Sequence, residues 1–158
     1  MYQDIFLPIV FELSLSSDQR CLTSEWKKLI HELLQVYLKQ FCNDDLYIIG
    51  HVKALAVLGK QDYIKFSCSN NSGNIDIQDH GCQEGISEVD VTINSLVANI
   101  CESESRQMME KACQALKNSK EISNLKIDIK KNSKPKQKHH HFHNSKVSDC
   151  PICNSHNH

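Results

Sequence analysis

Two hydrophobic rhythms alternate along this chain, and their order restricts the folds it can reach. Ile9, Phe11, Leu13 and Leu15 recur at every second position with Glu12 and Ser14 between them, the period of a strand covered on one face. Pro8 stands at its start, where a residue without an amide proton is tolerated. The stretch from Ser16 to Phe41 reads as a helix, because Trp26, Leu29, Ile30, Leu33, Tyr37 and Phe41 fall three and four residues apart. Thr23 or Ser24 offers a side-chain oxygen for the unpaired amides of its first turn. Asn43, Asp44 and Asp45 end it.

The run LYIIGHVKALAVLG is apolar and β-branched and reads as a central strand. A turn at Lys60 to Asp62 leads to a strand with Ile64, Phe66 and Cys68 on one face. Ile75 and Ile77 suit a short strand, and the Gly81–Gly85 stretch a loop. Val89, Val91 and Ile93 then alternate. A second helix carries Met109, Ala112, Cys113 and Leu116 inward with Ser103 as its cap, and Leu125, Ile127 and Ile129 close the pattern. The order β-α-β-β-β-β-α-β gives an α+β two-layer sandwich, a mostly antiparallel sheet with two helices on one face. The nearest common topology is ferredoxin-like, or an elaboration of it.

From Lys131 both rhythms stop. KNSKPKQK holds no apolar residue and reads as a disordered linker, so the chain divides into a globular domain over 1–130 and a disordered tail over 131–158. Charge divides with it. Twelve Lys and Arg precede Lys130 against 18 Asp and Glu, whereas six Lys from Lys130 onward face Asp149 alone. Such asymmetry marks a separate interaction tail.

The tail is where ligand chemistry concentrates. His139, His140, His141 and His143 are four of the nine histidines, and neutral imidazoles bind zinc, nickel, cobalt and copper. Phe142 interrupts the run, unlike an expression tag. Cys150 and Cys153 form a Cys-x-x-Cys pair, with His156 and His158 close behind. Two thiolates and two imidazoles favour tetrahedral zinc. Disulfide exchange by such a pair needs a helix N-terminus to acidify the first thiol, and no helical pattern accompanies it. In composition these last 20 or so residues resemble the His-rich extensions of bacterial nickel and zinc accessory proteins. The Gly-Asn-(Arg)-His motif of the urease-type nickel chaperones is absent.

In the body, Asp76, Asp79, His80 and Cys82 crowd one loop, and His51 on a neighbouring strand could join them as a second site. His31 stands off the apolar stripe of its helix. Cys21, Cys42, Cys68, Cys101 and Cys113 read as small buried hydrophobes. The first 13 residues lack a basic start and carry Asp4 and Pro8, which argues against a signal peptide. No apolar run approaches the roughly 18 residues of a membrane span. The expected address is cytoplasmic, with reduced cysteines. Neither a nucleophile elbow nor a phosphate-cradling or dinucleotide-binding glycine loop is present, so no enzyme is expected. The net acidity of the body and its few aromatics argue against nucleic acid. The expectation is a metal-handling accessory protein, with nickel or zinc on the tail and a client or a second copy on the body. Its rival is an α+β protein-interaction module with a solubilising or structural-zinc tail.

Overall fold

A computed structural model describes residues 5–81, 85–117 and 122–130. The elements run β1 (Phe6–Cys21), α1 (Thr23–Cys42), β2 (Ile48–Val57), β3 (Tyr63–Cys68), β4 (Asp76–His80), β5 (Ile86–Ala98), α2 (Glu102–Lys117) and β6 (Lys126–Ile129). One sheet takes them in the order β4-β3-β2-β5-β1-β6, with every neighbouring pair antiparallel. The four strands β6-β1-β5-β2 form two interleaved β-α-β units. In each, the two strands joined by a helix are separated by one strand of the other unit. This is the ferredoxin-like core, and β3 and β4 extend it as a hairpin beyond β2.

The two periods place the core. Leu15, Leu13 and Phe11 of β1 stand opposite Val89, Val91 and Ile93 of β5. Val91 and Ile93 in turn oppose Ala56 and Ala54 of β2, and those oppose Ile64 and Phe66 of β3. All are buried, together with Trp26, Leu29, Ile30, Leu33, Tyr37 and Phe41 of α1 and Met109, Ala112 and Leu116 of α2. Because side chains alternate along a strand, the same register fixes the opposite face. It carries Glu12, Ser14, Asp90, Thr92, Asn94, Lys53, Leu55, Val57 and Lys65, and no helix among the described residues packs on it.

Three local expectations need correction. β1 runs on to Cys21, where the sequence reads as the start of a helix. Its pairing jumps from Ser16↔Glu88 to Cys21↔Ile86, and the added residues are held sideways. The Ser17 hydroxyl donates to the Ser123 carbonyl at 2.7 Å, and Asn124 bonds the Asp18 carboxylate. Neither Thr23 nor Ser24 is the cap of α1, because the cap position is Leu22. The Glu25 carboxylate reaches back to accept from the Leu22 amide at 2.9 Å, which is half of a capping box. α2 starts at Glu102, before Ser103, with the Ser105 amide donating to the Cys101 carbonyl at 3.0 Å.

The interior holds a polar junction. The Tyr37 hydroxyl lies 2.8 Å from both Ser95 Oγ on β5 and Ser105 Oγ on α2. All three residues are buried, and burial pushes the Tyr37 hydroxyl pKa up against the pull of the two serines. A Tyr37→Phe chain would leave both serine hydroxyls without this partner, at a cost of about 1–3 kcal/mol. The expected outcome is a lower urea midpoint with an unchanged slope; an unmoved midpoint would show that the junction contributes nothing.

Candidate functional site

The eight expected tail ligands, His139, His140, His141, His143, Cys150, Cys153, His156 and His158, lie outside the described residues, as does Cys82. What the structure does describe is the place from which the tail departs. The Lys130 amide donates to the Glu12 carbonyl at 2.8 Å, continuing the β1–β6 ladder by one residue. The ligand set therefore follows a strand at the sheet edge, and eight residues separate Lys130 from His139. At full extension that interval spans at most about 30 Å.

The second site considered in the body is divided by the sheet. The segment DIQDH is strand β4, paired with β3 from Tyr63↔His80 to Ser67↔Asp76, and alternation sends its residues to two faces. Asp79 lies on the helix side, where its carboxylate meets Lys27 Nζ of α1 at 2.7 Å. This exposed pair is worth little to stability, but it occupies the carboxylate. His80 lies on the open side and stacks on Tyr63, ring centroids 4.8 Å apart and planes 14° apart. Asp76 is on the same face at the far end of the strand. His51 opposes Leu96 on β5, whereas the β2 residue in His80's row is Val57. Six strand positions thus separate the two histidines, roughly 20 Å. Among the described residues no three His, Cys, Asp or Glu side chains gather as a metal site.

Tight packing closes the end of β4. Gly81 has φ +97°, and a Cβ there would stand 1.7 Å from Asp62 Oδ1. Only glycine fits that backbone and that space.

The cysteines of the body are mostly inert. Cys21, Cys68 and Cys113 are buried free thiols, and Cys42 is a half-buried one. Burial, followed by the neighbouring Cys68, raises the Cys42 thiol pKa. Burial pushes the Cys113 thiol up to about 11. A raised pKa in the folded state means that the native chain keeps a proton the unfolded chain loses. Stability from Cys113 is then complete below its ordinary value of 9.0 and declines as pH rises toward about 11. Urea titrations at about pH 8 and about pH 10 are expected to show the loss, and a Cys113→Ala chain a smaller one. An identical pH dependence in both chains would contradict the burial argument.

The protein-interaction reading puts its partner on a sheet face or a strand edge, and the sequence alone does not pick out the residues of the open sheet face. That face holds a hollow of about 560 Å³ bordered by Lys53, Leu55, Lys65, Ser67, Thr92 and Asn94. The signal was present in β5, whose Thr92 and Asn94 alternate with Val91 and Ile93. In β2 it was hidden, because apolar residues fill both faces.

No family model matches the chain, and no curated protein matches it. Among solved structures it is similar to a Zn(II)-bound triple mutant of the YjiA GTPase, with 12% identity and a TM-score of 0.36. The likeness covers 70% of this chain and 29% of that one. The chain thus spans less than a third of that protein, and a likeness at this level carries no argument about function.

Proposed function

We propose that this chain is a metal-handling accessory protein. It would capture, store or deliver nickel or zinc through His139, His140, His141, His143, Cys150, Cys153, His156 and His158. The observation that carries the reading is the ligand set itself: six of nine histidines and a Cys-x-x-Cys pair within the last 20 residues, beyond a linker of polar residues. Imidazole and thiolate are the donors that zinc and nickel prefer. A set with more donors than one ion needs suits exchange, since ligands can be replaced one at a time. The described body supports this division of labour, because its own histidines and acids are held apart on different strands and faces.

The body serves as the anchor and the partner-binding part, and it takes no part in catalysis. No helix among the described residues is long and apolar enough to cross a membrane. A cytoplasmic place, with a metalloprotein client and neither nucleic acid nor membrane as partner, belongs to the same proposal. A second reading, the protein-interaction module, draws on the exposed apolar side chains Leu55 and Val57 on the open sheet face.

Metal content by elemental mass spectrometry, on untagged full-length chain beside one ending at Lys130, tests the proposal. The expected outcome is nickel or zinc in the first and none in the second. Equal metal in both would relocate the site to the body. Because imidazoles must shed protons to bind, retained metal is expected to fall steeply below about pH 6. A pH-independent metal content would contradict histidine ligation.

A further inference from the structure

The open sheet face carries a pattern that a solvent-facing surface does not need. An antiparallel sheet can leave one face in water, and that face is then polar. Here Val57 is 44% exposed, Leu55 38%, Val10 41% and Phe6 42%. All four project from the face opposite the helices, Leu55 and Val57 next to each other on β2 and Val10 and Phe6 on β1. On the same face Glu12, Glu88, Asp90 and Asp128 lie on β1, β5 and β6 with Lys126 beside them, and Lys53 and Lys65 lie on β2 and β3 with Asp76 of β4 beside them.

We infer that this face binds a second copy of the chain, sheet against sheet, about a two-fold axis parallel to the strands between β5 and β2. The register carries the argument. Glu12, Thr92, Leu55 and Lys65 form one continuous row across β1, β5, β2 and β3. Glu12 and Lys65 therefore stand at equal distances on either side of the β5–β2 line. A two-fold axis along that line exchanges the two sides. It sets Glu12 against Lys65 of the second copy, twice, with Thr92 against Leu55 between them. One row further along, Val10 stands level with Asn94, Lys53 and Ser67. The same axis brings it over the hollow of about 560 Å³ on β2 and β3 of the other copy.

The size is adequate. Four strands at about 4.8 Å spacing and ten residues at about 3.3 Å rise cover roughly 600 Å² per copy. Both copies together then reach the lower end of specific interfaces, about 1,200 Å². The tail is a poorer occupant. Its lysines suit the acidic side only, and Phe142, Val147 and Ile152 are its only large apolar side chains. The inference does not rest on metal handling.

Sedimentation equilibrium of the full chain tests it, with circular dichroism to confirm that each variant is folded. The parent is expected at twice 18.1 kDa. Leu55→Glu is expected to be monomeric at about 100 µM, and Glu12→Lys or Lys65→Glu alone to weaken dimerisation at least about tenfold. The double variant Glu12→Lys, Lys65→Glu restores the two ion pairs and is expected to recover most of the loss. Should Leu55→Glu fail to fold, Thr92→Lys in the same row takes its place. A monomeric parent overturns the inference, as does a Leu55→Glu chain that still dimerises or a double variant no better than the singles. A monomeric parent that dimerises only when ended at Lys130 would make the tail the occupant, which also overturns it.

Discussion

The Tyr37 hydroxyl is the point on which the two layers depend. It reaches Ser95 in the last third of β5 and Ser105 in the first turn of α2, both at 2.8 Å. One side chain of α1 thus ties the other helix and a central strand together. Its ring meets Phe11 of β1 and Phe41 edge-on, with centroids 5.9 Å and 5.0 Å apart. Phe41 meets Tyr47 in the same way at 5.4 Å, and Tyr47 donates to Glu104 of α2 at 2.6 Å. This chain of rings fixes α1 against α2 at two places. Buried polar atoms are stable only when paired, and among the described residues no buried side-chain nitrogen or oxygen lacks a partner. The junction therefore favours one registration of helices on sheet, which in turn leaves the other sheet face open.

Much of this architecture was legible because the two hydrophobic periods are clean. Ile9 to Leu15 and Val89 to Ile93 alternate without error, and the stripe from Trp26 to Phe41 keeps its spacing through the whole of α1. Strands that depart from alternation were read less well. Ser17 to Arg20 are polar, and the bonds of Ser17 and Asp18 come from Ser123 and Asn124 far along the chain, which sequence spacing cannot show. The segment DIQDH looked like a ligand-bearing loop because its donors lie close in sequence. As strand β4 it sends Asp79 to one face and His80 to the other. Tyr37 was visible as part of an apolar stripe, but its two serine partners sit 58 and 68 residues away. The tail offers its donors as chemistry alone, since donor type and spacing need no fold.

The division between body and tail gives each part a distinct physical task. The body is an ordinary two-layer sandwich with its titratable groups separated, paired or exposed. It offers a scaffold, an open sheet face and an edge strand from which the last residues leave. The tail concentrates soft and borderline donors that the body keeps apart. In the proposal, metal handling rests on ligand type and partner choice on the sheet face.

The central claim is that metal is held by the last 20 residues and not by the body. A heteronuclear NMR titration of the isotopically labelled full chain with zinc, then nickel, tests it residue by residue. Resonances of residues 139–158 are expected to shift or broaden in step with added metal while those of His51, Asp76, Asp79 and His80 stay in place. Shifts centred on those body residues, with the tail unaffected, would contradict it.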